Sequence, residues 1–213
     1  CAEALGKMRR PSGSNLAIVT NAGGPGVMAV DAFAKWRVEP ATLSAETRSK
    51  LDAFLPPFWS HANPIDILGD ATPERYVQAV RVCLEAPELS GLIVILSPQA
   101  MTDPTGVAQA IAAEIQSRPK PLMAVWMGAK DVSQGVAVLN EAGITTFQTP
   151  EEAVDTFMQM VSYSRNLELL QETPPGLPRD LRVNTEQART FLEECLRRRV
   201  KVLSEVESKA VLS

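Results

Sequence analysis

The segment Thr20-Asn21-Ala22-Gly23-Gly24-Pro25-Gly26 lies between a short apolar run and a helical pattern, and its residue types could serve an anion. A helix start leaves backbone N–H groups unpaired and carries a partial positive charge. Glycines let a ligand come close to the backbone. The competing reading is a tight strand-to-helix turn that holds nothing, and spacing alone does not separate the two. The segment is neither G-x-G-x-x-G nor a P-loop with its Lys-Ser/Thr, so dinucleotide and Walker-type binding find no support in it.

A second segment, Asn63-Pro64-Ile65-Asp66-Ile67-Leu68-Gly69-Asp70, offers a pair of carboxylates. They could bind a metal, but no further ligand is evident, and a turn in which Asn and Asp bond their own backbone is favoured. Ser97-Pro98-Gln99 and Met127-Gly128 each follow an apolar run. In an open α/β sheet such strand ends gather at the carboxyl edge, where ligands sit. Asn63, Asp66, Ser97 and Gln99 are therefore candidate substrate-edge residues, with ordinary loops as the alternative. The single histidine, His61, has no evident activating partner and reads as a polar loop residue. Cys1, Cys83 and Cys195 stand far apart, without CxxC or Cys/His spacing, so no structural zinc site is expected. Cys83 falls in an apolar helical pattern and is expected in the core. No residue of the chain is assigned a catalytic role.

Alternating strands and helices must position these loops. Leu16–Thr20 is the length of a buried parallel strand, and the helix after the glycines sets Val27, Val30 and Ala34 on one face, with the small Ala29 and Ala32 beside them. Val38 to Leu43 could hold a second strand. Ser44 caps a helix over 45–54, which Pro56-Pro57 stops. Ala62 to Leu68 reads as extended, and Thr72-Pro73 opens a helix. The strand Leu92–Leu96 leads to a helix from Asp103-Pro104 to about Ser117, bearing Val107, Ile111 and Ile115. A strand over 121–126, a helix from Val132 to Glu141 stopped by Gly143, and a short strand Thr145–Phe147 follow. Thr149-Pro150-Glu151-Glu152 then starts a helix whose inner face holds Ala153, Phe157, Met160, Val161 and Ser164.

This alternation predicts an α/β, flavodoxin-like three-layer fold: a parallel sheet of about five strands, in an order such as 2-1-3-4-5, with a C-terminal helical extension. Residues 1–14 read as a linker from an upstream domain, 15–170 as the α/β domain and 171–213 as a linker with helices. In the last part Thr173-Pro174-Pro175-Gly176-Leu177-Pro178 is stiff, Asn184 caps a helix with Gln187 at the box position, and Ser204-Glu205-Val206-Glu207 is a capping box. A capped helix so near Ser213, and Cys1 where a Met would stand, lead us to expect a longer protein on both sides.

Composition bounds the function. The 213 residues are 45% hydrophobic and 22% charged, as in an ordinary globular chain. The net charge of −4, with no basic run beyond Arg197-Arg198-Arg199, disfavours nucleic acid as a partner. No apolar stretch approaches the roughly 20 residues of a membrane span, and no N-terminal signal is visible, so a cytoplasmic chain is expected.

Together, "AIVTNAGGPGVMAVDAF", "NPIDILGDA", "LIVILSPQAMTD" and "PEEAVDTF" resemble, in order and spacing, the NDP-forming acyl-CoA synthetases, which are ADP-forming acetate–CoA ligases and relatives of succinyl-CoA synthetase. The resemblance covers roughly residues 12–170. It implies the second of two flavodoxin-like ligase domains, and the tail, with "LLQETPPGLP" and "VLSEVESKAVLS", looks like a bridge into a following ATP-grasp domain. It further implies that a histidine on another domain carries a phosphoryl group between acyl phosphate and ADP, and that the glycine loop faces it. Gly23, Gly24 and Gly26 would then supply N–H groups to the phosphoryl oxygens, with Asn21 in the same phosphate-binding set.

The family's phosphohistidine segment is absent here, and His61, in Trp59-Ser60-His61-Ala62-Asn63, does not match it. The resemblance therefore implies no turnover, and no cofactor, for this chain by itself. ATP or ADP, Mg and CoA would be used by the full-length enzyme. Its partners would be the CoA-binding, phosphohistidine and ATP-grasp domains and a small acid, with a homo-oligomer left open. Two alternatives stand beside the ligase: a regulatory module of a GNAT-fused protein lysine acetyltransferase, and a non-catalytic docking domain.

Overall fold

Apolar runs bounded by turn residues become the strands of a parallel sheet. In a computed structural model, which describes residues 6, 8–114, 119–171, 185–198, 200 and 202–212, these are β1 (Leu16–Thr20), β2 (Ile65–Asp66), β3 (Gly91–Leu96), β4 (Leu122–Trp126) and β5 (Thr145–Phe147). Their order is β2-β1-β3-β4-β5, and every neighbouring pair is parallel. This is the expected flavodoxin-like order. β1, β3 and β4 are buried along their whole length, as strands covered on both faces must be.

The helices follow the same chain logic: α1 (Gly23–Ala34), α2 (Ala45–Asp52), α3 (Pro73–Glu85), α4 (Pro104–Glu114), α5 (Ser133–Glu141) and α6 (Pro150–Gln171). Expected caps form: Ser44 Oγ accepts from the Thr47 N–H at 3.1 Å, and Thr72 Oγ1 from the Arg75 N–H at 3.3 Å. Thr149 Oγ1 accepts from the Glu152 N–H at 3.3 Å. Gly143, with φ +75°, takes the left-handed conformation that ends α5.

Strand alternation divides the core in two. Ala17, Val19, Leu92, Val94, Leu122 and Ala124 face the layer that includes α3, α4 and α5. Leu16, Ile18, Ile93, Ile95, Met123 and Val125 face Ala29 and Phe33 of α1 and Ala153, Val154 and Phe157 of α6. Cys83 is in the first core, and burial pushes its thiol up to about 12.

Two expectations are corrected. Val38–Leu43 is not a strand; the second strand is Ile65–Asp66. Ala41 donates to the Leu16 carbonyl at 3.3 Å, but Pro40 has no N–H to extend a ladder. The Asn63 side chain takes the neighbouring positions on that edge of β1. On α1 the buried stripe is Gly26, Ala29 and Phe33, whereas Val27 is 59% exposed. The helix lies close to the sheet through its smallest residues, so the larger Val27 turns outward.

Residues 1–171 form one compact unit and 172–213 another. The second contains α7 (Thr185–Arg197) and α8 (Glu205–Leu212). The capping box of α8 is present, with Ser204 N–H donating to Glu207 Oε2 at 2.7 Å and Glu207 N–H to Ser204 Oγ at 3.3 Å. Ile115, the Thr173–Pro178 linker, the Asn184 cap and most of the 1–14 segment's first half lie outside the described residues.

Candidate functional site

The parallel sheet brings the ends of β1, β2 and β3 to one carboxyl edge, and the loops there are tied to one another. α1 begins at Gly23, after Ala22, whose extended backbone takes the N-cap position without a side-chain cap. Of the donors a helix start leaves over, Ala22 N–H is held by Thr20 Oγ1 at 3.1 Å, and Pro25 has none. Gly26 N–H makes the first helical bond, to the Ala22 carbonyl at 3.3 Å. The N–H groups of Gly23 and Gly24 remain, and among the described residues neither meets an acceptor. Both residues are exposed. They sit at the positive end of α1, a geometry that suits an anion.

The other candidates of this loop have structural tasks. Asn21 is 2% exposed. Its Nδ2 donates to the Ser97 carbonyl at 2.9 Å and its Oδ1 accepts the Ser97 N–H at 2.9 Å, so the amide joins the ends of β1 and β3. Gly26 is buried, and a Cβ there would stand 3.3 Å from Thr20 Cγ2 and 3.4 Å from Pro64 Cβ. Its bareness lets α1 pack on β1 and on the Pro64 loop. Ser97 thus contributes its backbone, and Gln99 Nε2 donates to the Asn21 carbonyl at 3.2 Å.

Asp66 Oδ1 accepts the Leu68 N–H at 2.9 Å, the turn favoured above for this segment. Its other oxygen, Oδ2, faces α1, 3.6 Å from where a Cβ on Gly23 would be. Asp70 is drawn instead to Arg75 Nη1 at 2.6 Å, and that hydrogen bond holds its carboxyl below the usual range. The two carboxylates therefore serve different partners. Among the described residues no group of three or more His, Cys, Asp or Glu side chains could hold a metal ion.

Asn63 lies away from this edge, beside the middle of β1. Its Nδ2 donates to the Leu16 and Ala41 carbonyls at 3.0 and 2.9 Å, and its Oδ1 accepts the Ile18 N–H at 2.9 Å. The amide does the work of a missing strand. His61 is engaged as well, Nδ1 with Asp52 Oδ1 at 2.9 Å and Nε2 with the Pro57 carbonyl at 3.1 Å. Tyr76 sits under the edge, its hydroxyl donating to the Ile95 carbonyl at 3.2 Å, and burial, with Asp66 nearby, pushes its phenol well up.

The edge therefore holds exposed donors, one carboxylate and no activated nucleophile among the described residues. Residues 16–171 match the model of the Ligase-CoA domain. The chain belongs to that family. The chain is 34% identical over 182 residues to the ADP-forming acetate–CoA ligase I of Archaeoglobus fulgidus, covering 85% of this chain and 25% of the relative. It is 27% identical over 211 residues to the ADP-forming 4-hydroxybutyrate–CoA ligase of Nitrosopumilus maritimus, covering 99% of this chain and 30% of that one. Its fold matches a Ca. Korarchaeum cryptofilum dinucleotide-forming acetyl-coenzyme A synthetase 1, solved in complex with phosphate and ADP, with a TM-score of 0.73 and 31% identity. That match covers 80% of this chain and 38% of the other. The chain thus spans only a quarter to a third of the length of these curated relatives.

Sequence reasoning missed three contributors to this edge of the Ligase-CoA domain: Thr20, Pro64 and Gly69. Thr20 Oγ1 both accepts from Ala22 N–H and donates to the Ala22 carbonyl, at 2.8 Å for the latter. A hydroxyl directly before a glycine loop was the available signal for it. Pro64 and Gly69 fall within the Asn63–Asp70 segment, but they act through contacts with Gly26 and Gln99 far along the chain, which no local pattern gives.

Proposed function

We propose that this chain is part of an NDP-forming acyl-CoA synthetase of the acetate–CoA ligase type, which turns acid, CoA and ATP into acyl-CoA, ADP and phosphate. The observation that carries the reading is the uncapped start of α1, where the exposed Gly23 and Gly24 N–H groups are left without acceptors. The names of the relatives support it, since they are ADP-forming CoA ligases.

In this reading a histidine of another domain takes the γ-phosphoryl group of ATP, releasing ADP. It passes the group to the acid carboxylate, and the CoA thiolate then displaces phosphate from the acyl phosphate. Gly23 and Gly24 hold the phosphoryl oxygens while the bond to the histidine nitrogen forms or breaks. Preset donors stabilise that charge without reorganising. Asn21 and Gly26 belong to the site by shaping it: one ties the loop to β3, the other seats α1 on the sheet. Asp66 and Gln99 border it. Residues 15–170 are the ligase domain, and 171–213 lead towards an ATP-grasp domain. Nucleotide, Mg and CoA are assigned to the remaining domains.

The experiment is acid-, CoA- and ATP-dependent ADP formation by the longer polypeptide and by this chain. The chain alone gives no turnover, and Gly24→Val in the longer polypeptide lowers kcat by about a hundredfold, because the branched side chain keeps the phosphoryl oxygens off the loop at a cost like that of losing a donor. Wild-type rates with Gly24→Val would remove the loop from the mechanism. A longer polypeptide with no ADP formation but with protein acetyltransferase activity would favour a regulatory role.

A further inference from the structure

Gln99 lies across three loops of the carboxyl edge. Its Nε2 donates to the Asn21 carbonyl at 3.2 Å. Its amide also occupies the space over Gly69, where a Cβ would stand 2.0 Å from Oε1 and 2.7 Å from Cδ. No φ in the left-handed region marks Gly69, so the bare Cα is needed there for space and not for backbone conformation.

The carbonyl that Gln99 reaches belongs to the peptide joining Asn21 to Ala22. The N–H of the same peptide is held by Thr20 Oγ1 at 3.1 Å. A peptide unit is planar and turns as a whole. Bonds at both of its polar ends therefore fix its rotation, and it is the unit directly before the one that carries the Gly23 N–H. Without the Gln99 bond only the Thr20 end is held, and the unit regains a libration that Gly23 and Gly24, having no side chains, cannot damp.

We propose that Gln99 is a positioning residue: seated over Gly69, it holds the Asn21–Ala22 peptide and so aims the Gly23 and Gly24 N–H groups. It touches no reacting atom in this role. The proposal rests on the phosphate-facing reading of α1 above.

The test is a double-mutant cycle of Gly69→Ala and Gln99→Ala, with Gln99→Glu as the variant that keeps the size but lacks the donor. On this chain the first readout is the amide resonances and hydrogen exchange of Ala22, Gly23 and Gly24. Each single variant is expected to shift these signals and speed their exchange, while the melting temperature stays near that of the parent because Gln99 is exposed. Gly69→Ala should add nothing once Gln99→Ala is present, since its only effect is to evict that side chain. Gln99→Glu should behave like Gln99→Ala. In the longer polypeptide each single variant should lower kcat about tenfold, less than loss of a donor costs, with KM for ATP unchanged.

Unmoved Gly23 and Gly24 signals, additive effects in the cycle, or parent-like kcat in Gln99→Ala while Gly24→Val is crippled would overturn the proposal. A different result, with the amide signals moving as described but Gly24→Val fully active, would spare the positioning of the loop and sink the phosphoryl reading instead.

Discussion

The β1 loop (Asn21–Gly26) and the segment around β2, here the β2 loop (Asn63–Asp70), have similar compositions, each with an Asn, a Pro and glycine, yet they differ in what they leave unbonded. In the β2 loop the polar groups turn inward. Asn63 bonds β1 and Ala41, Asp66 bonds Leu68, and Arg75 Nη1 donates to the Ile67 carbonyl at 3.1 Å as well as to Asp70. In the β1 loop Thr20 and Asn21 satisfy their own surroundings, but Gly23 and Gly24 keep exposed donors. A loop that completes its own hydrogen bonding is a brace. One that stops short of doing so, at a helix start, keeps its donors for something else.

Breaking the brace should cost most. Asn63→Ala removes three hydrogen bonds, leaving the N–H of the fully buried Ile18 unpaired and the Leu16 carbonyl with the Ala41 N–H alone. We expect a loss of about 3 kcal/mol in urea unfolding of this chain. A loss below about 1 kcal/mol would mean that water replaces the amide and that the loop is no brace. Gly26→Val tests the junction of the two loops, where the new side chain meets Thr20 and Pro64. It should cost about 2 kcal/mol, because the added methyl groups must push α1 off the sheet. An unchanged unfolding midpoint would show that α1 has room that the packing does not suggest.

The difference between these regions was only partly legible in the sequence. The apolar runs at Leu16–Thr20, Leu92–Leu96 and Thr145–Phe147 gave their strands directly, because buried parallel strands need continuous apolar stretches. β2 was harder: it is two residues long, and Val38–Leu43 carries more apolar side chains. Those side chains pack in the core, but Pro40 and the Asn63 amide keep their backbone out of the ladder. The α1 stripe was misread because Gly26 and Ala29 pack closest by being small. At the site, the glycines were visible, while the partners of Asn21 and Gln99 were not. Their bonds to Ser97 and Asn21 cross 76 and 78 residues of chain, and no local spacing encodes such contacts.

Gly24→Ala changes the binding loop instead of the brace. A Cβ at Gly24 meets nothing within 4 Å, and the residue is helical. Alanine should therefore stabilise the chain by about 0.5 kcal/mol, the helix preference over glycine reduced at a first turn. If the N–H is reserved for an anion, the same methyl group should weaken inorganic phosphate in an NMR titration. Stability and binding would move in opposite directions, which a purely structural loop has no reason to show. Equal gains in both, or no change in phosphate shifts, would put the β1 loop back among the braces.

The smallest effect belongs to Asp66, where the loops meet. Asp66→Asn keeps the Oδ1 acceptor for Leu68 but removes the negative charge facing the Gly23 end of α1. That charge favours the positive helix terminus and opposes a second anion there. Solvent around the exposed Gly23 end and the half-buried Asp66 screens the repulsion to about 0.5 kcal/mol, so phosphate should bind roughly twofold more tightly to the variant at low salt. The gain should fade as the ionic strength passes about 0.1 M, where the screening length falls to about 10 Å. A salt-insensitive gain would point to shape, not charge. Weaker phosphate binding in Asp66→Asn would mean that the carboxylate helps to build the anion site through the Leu68 turn, and the brace and the binding loop would then be one unit.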